Sequence, residues 1–329
     1  MMDITKGAYD FKLITGLAIH PPAHIKAAPL RAFQAHVRFH GKPGHLTADR
    51  AYNHLRAHRF QEHVRRAGYW TTYDYPKNQL GPQCSIPEHE VVMVDGSLYV
   101  AYMPEHLQMI SRWWKTGAID PDTCERDSNG NPILETGKPF DEKTARALLE
   151  QREPYRLKPM GRPDGDGHQR FQYPNPRGYI AVDPATRAPM PARATAHLVG
   201  KITVKPSMKL TRSIQKHPWQ SDDWHRAYGQ RNQVENSNKT LKDVGSGDIE
   251  NKKRRTGRGI AFHGLVSGFA VAAENLRRII VGITKIARGK APKTTRGSKR
   301  FDARGNRIVR EHQTETQTIS PLTGPPLRE

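Results

Sequence analysis

The first 76 residues alternate short apolar segments with amphipathic ones. YDFKLIT and LAIH are typical of short strands separated by a glycine, and IKAAPLRAFQAHVRFHG predicts a helix that ends at Gly41. GHLTADRAYN begins with another strand, LRAHRFQEHVRRAG predicts a helix that stops at Gly68, and YWTTYDYP predicts a strand that ends at Pro76. Strands that alternate with helices in this way indicate an α/β fold.

The pattern changes between residues 77 and 215, where proline and glycine become frequent. EVVMVDGSLYVAYMP predicts a β-hairpin with its turn at Asp95-Gly96, and HLQMISRWWKTG and EKTARALLEQREPY predict helices. PDGDGHQRF contains Asp164 and Asp166 but lacks a third acidic position, so it predicts a plain turn rather than a calcium loop. We interpret residues 77–215 as an irregular β-rich insertion.

Helical periodicity returns at Trp224 and continues to about Arg288. Its most apolar part, GIAFHGLVSGFAVAA, is shorter than the roughly 18 to 20 residues of a membrane span, so we predict a buried core helix. The segment 289–329 is polar and charged without apolar periodicity, which predicts a disordered basic tail.

The charge of the chain changes this picture from a generic α/β protein to one with a polyanionic partner. The 329 residues include 53 Lys+Arg and 32 Asp+Glu, a formal net charge of +21, and the pI is about 10.1. Such an excess of cations favours nucleic acid as a partner. The only cysteines, Cys84 and Cys124, form no CxxC pair, which argues against a disulfide framework or a zinc ribbon and fits a reducing cytoplasm. MMDITKGAYDFK has no apolar core of a signal peptide.

One polar segment, WHRAYGQRNQVENSNKTLKD, carries the candidate chemistry. On a helix with about 100° per residue, one arc of about 60° holds Tyr228, Arg231, Glu235 and Lys242. The adjacent arc holds residues that would pack on a core, namely Trp224, Ala227, Val234 and Leu241. A carboxylate flanked by cations suits a metal ligand in a phosphate-binding groove, but intrahelical ion pairs on an exposed helix would give the same pattern.

The spacing Y-x-x-R-x-x-x-E-x-x-x-x-x-x-K, which these four residues match, resembles the Y-R-E-K signature of bacterial insertion-sequence DDE transposases. LTADRAY resembles the strand that carries the second catalytic aspartate of that family, here Asp49. RGIAFHGLVSGFAVAAENLRRI is similar to the apolar helix that follows the catalytic glutamate. The resemblance extends over most of residues 8 to 285 and is weakest in the insertion.

The resemblance implies a ribonuclease H-like core, a mixed sheet flanked by helices, with a long β-rich insertion before the catalytic glutamate helix. It implies metal-dependent cleavage and transfer of DNA strands with two Mg²⁺ (or Mn²⁺) ions, and it makes Asp49 and Glu235 metal ligands. Arg231 and Lys242 would hold DNA phosphates, and Tyr228 would hydrogen-bond a phosphate or stack near the cut end. Without the resemblance, Asp49 has the alternative of a helix cap at a strand end.

The chain departs from the family at its start. The family's first strand carries the first catalytic aspartate, but two methionines before Asp3 leave no room for that strand, and Asp10 does not fit the pattern either. We therefore expect a core that lacks its first strand, the C-terminal part of a transposase, inactive alone. The predicted division is 1–76 and 216–288 for the two parts of the core, 77–215 for the insertion and 289–329 for the tail.

The expected partner is double-stranded DNA at transposon ends, in the bacterial cytoplasm with the nucleoid and without a membrane; a homodimer is left open. The basic segment NKKRRTGRG adds phosphate contacts to those of Arg231 and Lys242, through Lys252, Lys253, Arg254, Arg255 and Arg258. The alternative function is a basic DNA-binding remnant of a transposase that does not cut. A ribosomal or architectural protein would not explain the acidic residues.

Overall fold

The structure is a computed structural model that describes most of the chain between residues 12 and 288. The residues described in full are 12–20, 27–39, 42–49, 52, 55–116, 125, 128, 133, 141–208, 210–243, 248–249, 251, 257 and 259–288; the backbone is also described at 2–3, 300–301 and 307–308. Helices and several small sheets alternate along these residues, which confirms the mixed α/β class. The ribonuclease H-like arrangement stays a prediction.

The elements are labelled in chain order. The strands are β1 Met2–Asp3, β2 Leu13–Ile14, β3 His45–Thr47, β4 Trp70–Thr72, β5 Pro82–Ile86, β6 Val91–Val94, β7 Ser97–Val100, β8 Lys158–Met160, β9 Gln169–Gln172, β10 Lys201–Val204, β11 Arg300–Phe301 and β12 Arg307–Ile308. The helices are α1 Ala28–Phe39, α2 Gln61–Arg66, α3 Glu105–Thr116, α4 Glu142–Glu150, α5 Asp222–Tyr228, α6 Arg231–Lys242 and α7 Ile260–Ala287.

The N-terminal strands differ from the prediction. In the described part of YDFKLIT, Leu13 and Ile14 form β2, which is antiparallel to β1, so Asp3 does lie in a short strand although the sequence left no room for one. LAIH forms no strand, because the chain before it runs against α1: a side chain at the buried Gly16 would collide with the carbonyl of Ala32. Asp10, the other candidate for the first aspartate, lies outside the described residues.

A strand–helix–strand unit follows and carries the first site residue. Strands β3 and β4 pair in parallel with Leu46 opposite Thr71, and the connection between them contains a 3₁₀ turn and α2. Parallel neighbours need such a crossover. Gly68, with φ of 76°, ends the connection as the sequence predicts. A small core of Phe33, Phe60, Val64 and Tyr69 holds this unit to α1.

The range 77–215 contains two three-stranded antiparallel sheets, in the orders β5-β6-β7 and β10-β9-β8, together with α3 and α4. The predicted hairpin is confirmed: β6 and β7 meet at Asp95 (φ 49°) and Gly96 (φ 77°), both in the left-handed region that a two-residue turn of this kind requires. The largest cluster of buried side chains in the described residues lies here and includes Val94, Leu98 and Ile110.

A buried ion pair ties this hairpin to the helices. Arg152, just after α4, places Nη1 2.6 Å from Asp95 Oδ2, with both side chains at most 3% exposed. The guanidinium also donates to the carbonyl of Leu107 and to Ser111 Oγ, and Gly81 N donates to Asp95 Oδ1. A buried charge pair is stable only when its remaining hydrogen-bonding positions are filled, as they are here.

The C-terminal helices correct two further predictions. The predicted single helix from Trp224 to Asp243 is two helices, α5 and α6, separated at Gly229 and Gln230. The predicted buried core helix α7 lies on the surface instead, with Leu265 60% and Phe269 68% exposed. In the predicted disordered tail, the described residues pair as β11 and β12.

Candidate functional site

The end of strand β3 is fixed to the helix that precedes Glu235. Thr47 Oγ1, in the last residue of β3, donates to the carbonyl of Ala227 in α5 at 3.1 Å. Asp49 follows two residues later, beyond the strand end, where its side chain is 56% exposed. The β3 end and α5 thus place Asp49 beside the junction of α5 and α6.

Helix α5 is anchored by Trp224. The N-cap Ser221 accepts a hydrogen bond from Trp224 N, and the indole Nε1 donates to the carbonyl of Tyr73 and to Gln215 Oε1 at 3.2 and 3.1 Å. Trp224 is 2% exposed, and Tyr228 stacks on it with ring centroids 4.7 Å apart. The helix therefore cannot rotate without breaking buried hydrogen bonds.

The break between α5 and α6 preserves the common face of the predicted site residues. Gly229 and Gln230 keep right-handed helical dihedral angles, and the local hydrogen bonds run to the third residue back, from Gln230 N to Ala227 O and from Gln233 N to Gln230 O. This tightened turn is typical of a 3₁₀ segment. Arg231 Cζ consequently lies 5.4 Å from the Tyr228 ring centroid, a cation–π distance.

Arg231 connects the two predicted metal ligands. Its Nη1 lies 3.1 Å from Asp49 Oδ1, and its Nη2 lies 2.8 Å from Glu235 Oε1. Asp49 and Arg231 are 182 residues apart in sequence. One guanidinium group therefore separates the carboxylates, so the structure brings together Asp49, Tyr228, Arg231 and Glu235, which we call the Arg231 cluster.

The cluster is open to solvent. The side chains of Asp49 and Glu235 are 56% and 60% exposed, while Arg231 is 29% exposed. Below them, Tyr52 is more enclosed: burial, and secondarily the charge of Asp49, raises the pKa of its phenol. Because both carboxylates are exposed, each can exchange its ion-pair partner for a ligand without any opening of the core.

The other predicted site residues lie farther away or outside the described chain. Lys242 is the last residue of α6, two turns and about 10 Å along the helix axis from Glu235. Val234, predicted to pack on the core, is 38% exposed, because the face beside the buried Leu241 does not continue along α6. The predicted DNA contacts Lys252, Lys253, Arg254, Arg255 and Arg258 lie outside the described residues.

Sequence reasoning missed Thr47 and Gln215, which orient the cluster. Thr47 precedes Asp49 in an ordinary strand pattern, and Gln215 lies in a loop with no periodicity, so neither carried a signal. Gln215 also accepts from Tyr73 N and donates to Tyr73 O, which makes it a buried link between β4, its own loop and Trp224.

A separate acidic turn joins β8 to β9. Among the described residues, the only three potential metal-binding side chains with ligand atoms all within 4.8 Å of one another are Asp164, Asp166 and His168. Asp164 Oδ1 accepts from the backbone N of Asp166 and of His168, which are the hydrogen bonds of a turn.

Comparison with known proteins gives no relative for this chain. No protein-family model matches it, and neither the curated proteins nor the solved structures contain a significant match. Within the described residues, no helix has the length and apolar character needed to cross a bilayer.

Proposed function

We propose that the chain is the catalytic core of a DDE-type transposase, in which Asp49 and Glu235 bind Mg²⁺ or Mn²⁺ at a DNA phosphodiester. The observation that carries the proposal is the shared guanidinium of Arg231, which joins a strand-end aspartate to a helical glutamate. The Y-R-E-K spacing names the same residues independently of this contact.

The chemistry of the cluster fits that role. Carboxylates are the preferred protein ligands of Mg²⁺, which keeps several waters and completes its shell with phosphate oxygens. Two bound divalent ions would together activate the attacking oxygen and stabilise the leaving one. Asp49 and Glu235 would hold the ions, and Arg231 would turn from the carboxylates to a phosphate, for which its planar fork is suited.

The surrounding fold is compatible with a ribonuclease H-like core. Asp49 follows the carboxyl end of β3, a strand in a parallel pair, and active sites of open α/β sheets lie at such ends. Glu235 lies in α6, which directly follows α5, and α5 contacts this strand end through the carbonyl of Ala227. This arrangement is the one that the resemblance implies for the second aspartate and the glutamate.

A non-catalytic DNA-binding remnant of a transposase is the second candidate. It is favoured by the position of Arg231 between the carboxylates, where its own positive charge satisfies them. It is also favoured because, among the described residues, the one group of three potential ligands with atoms within 4.8 Å of one another is Asp164, Asp166 and His168, which includes neither Asp49 nor Glu235.

Binding of Mn²⁺ to the full chain with duplex DNA, measured by electron paramagnetic resonance, distinguishes the two. Asp49→Asn and Glu235→Gln should each weaken binding at least tenfold if these carboxylates are ligands. Glu142→Gln is the matched control, because Glu142 is equally exposed and pairs with Arg146 at the same helical spacing. Equal Mn²⁺ binding by all four proteins would refute the metal site.

Nicking of supercoiled DNA with Mg²⁺ or Mn²⁺ then tests catalysis. With two carboxylates in place of three, we expect no strand cleavage by the isolated chain. Nicking by the wild type that disappears in Glu235→Gln would show that a complete site exists, with Asp3 or Asp10 as the first candidates for the missing ligand.

DNA binding is the property that both candidates share. Binding should be largely independent of sequence and weaken steeply with salt, with a log–log slope of about −0.9 per phosphate contact. Neutralising Lys252, Lys253, Arg254 and Arg255 should reduce that slope by about 3 to 4. If the slope stayed unchanged when these four residues were neutralised and residues 290–329 were also removed, neither segment would contact DNA.

A further inference from the structure

Helix α7 has its polarity reversed relative to an ordinary surface helix. Its protein-facing side is polar: Glu274 is buried and pairs with Arg278, and Asn275 exchanges two hydrogen bonds with the backbone of Ile14. Arg278 also donates to the carbonyl of Lys12 and to Ser237 Oγ. Surface helices normally direct their apolar stripe to the core.

The outward side of α7 carries a continuous apolar stripe. Five large side chains are each more than half exposed: Leu265, Phe269, Leu276, Ile280 and Ile283, at 60%, 68%, 61%, 63% and 55%. They amount to on the order of 500 Å² of apolar surface, which is near the upper limit for a single patch on a monomer.

The spacing of the stripe indicates what covers it. Apolar residues follow one another at alternating intervals of four and three, at Leu265, Phe269, Ala272, Leu276, Ile279 and Ile283. This heptad spacing is that of a helix that packs along another helix. The polar contacts of Glu274, Asn275 and Arg278 prevent α7 from rotating to bury the stripe in its own chain.

We propose that the stripe on α7 binds the same stripe of a second copy of this chain. The partner must be a helix long enough to cover the 19 residues from Leu265 to Ile283, and no other described helix exceeds 12 residues, whereas α7 has 28. The exposed apolar area is of the same order as the roughly 800 Å² that each side contributes to a standard interface. This inference does not depend on the proposed chemistry.

The order of large and small side chains favours an antiparallel pair. With the helices centred on each other, Leu265 lies beside the partner's Ile283, Phe269 beside the partner's Ile279, and Ala272 against the partner's Leu276. A parallel pair in register would place Phe269 on its own copy and Ala272 on its own copy. Alternation of large and small residues across facing positions gives the better packing.

Sedimentation equilibrium of the full, nuclease-treated chain tests the proposal. In about 1 M NaCl, where the Debye length is about 3 Å, contacts through residual DNA are screened but apolar association is not. We expect a dimer for the wild type and at least tenfold weaker association for Phe269→Glu and Leu276→Glu. Val281→Glu is the matched control, since Val281 is exposed on the same helix away from the stripe and should leave the dimer intact. Far-UV circular dichroism verifies that each variant keeps its helices.

Disulfide formation tests the orientation in a background with Cys84→Ser and Cys124→Ser. Phe269→Cys should cross-link to Ile279→Cys on the other copy and not to itself; self-linkage alone would overturn the antiparallel arrangement. A wild-type monomer would overturn the proposal, whether it stays in solution or binds anionic vesicles through the stripe. Equal weakening by Val281→Glu would overturn it as well.

Discussion

The Arg231 cluster and the Asp95–Arg152 pair use the same chemical groups in opposite surroundings. Arg152 lies 2.6 Å from Asp95 with both side chains at most 3% exposed, while Arg231 lies 3.1 Å from an Asp49 that is 56% exposed. The buried pair has backbone and hydroxyl partners for its remaining positions. The exposed pair faces water and a second carboxylate, Glu235.

The difference in exposure determines whether each ion pair can exchange its partner. A buried pair cannot exchange partners without leaving an uncompensated charge in the core, so Asp95 and Arg152 serve the fold. An exposed pair contributes little to stability and can give up its partner to an ion or a phosphate. Of the two pairs compared, only the exposed one in the Arg231 cluster is suited to exchange its partner for a ligand.

The largest expected effect comes from Asp95→Ala. Removal of the carboxylate leaves the Arg152 guanidinium buried without its counter-charge and Gly81 N without an acceptor, which should cost about 3–5 kcal/mol of unfolding free energy. Urea denaturation of the variant and of Asp49→Ala measures the difference. If Asp95→Ala and Asp49→Ala unfolded at the same urea concentration, the conclusion that only the buried pair stabilises the fold would be wrong.

The pH dependence of stability tests the burial of His217 beside β3. His217 stacks on His45 at the start of β3 with ring centroids 5.5 Å apart. Burial, and secondarily Lys216, lowers the pKa of His217 from 6.5 to about 4, although Asp223 opposes this. The unfolded chain then binds more protons, so stability should fall as the pH drops from about 6.5 to about 4, by on the order of 2 kcal/mol at most. His217→Gln should flatten the stability profile in that window; an unchanged slope would exclude His217 as its source.

The smallest effect concerns the exposed contact itself. A double-mutant cycle between Asp49→Ala and Arg231→Ala should give a coupling of about 0.2–1 kcal/mol that decreases in high salt. The corresponding cycle for Asp95 and Arg152 should give a larger coupling that salt hardly changes. A salt-insensitive coupling at Asp49 would remove the distinction between the two regions.

Local chemistry explains which elements the sequence predicted. The Asp95-Gly96 turn, the stop at Gly68 and the strands that become β3 and β4 each depend on a nearby residue signal, and each is confirmed. The Y-R-E-K resemblance predicts a shared metal site of Asp49 and Glu235, which stays a prediction; the structure shows that both carboxylates contact Arg231.

The failures have a common physical origin in tertiary contacts. LAIH has strand propensity, but the approach of Gly16 to α1 leaves it unpaired. The apolar sequence of α7 predicted burial, yet which side of a helix faces the protein is decided by partners such as the Ile14 backbone, which prefers Asn275. Gln215 is an example of a residue whose buried role depends on hydrogen bonds with Tyr73, 142 residues away in sequence, and with Trp224.

The 182 residues between Asp49 and Arg231 have a consequence during protein synthesis. At about 5–20 residues per second, the ribosome takes on the order of 10 to 40 s to produce Arg231 after Asp49. The residues of the β3–β4 unit and of the buried pair between Asp95 and Arg152 are synthesised well before that. The cluster therefore assembles late, and no nascent chain that ends before residue 235 can contain both carboxylates.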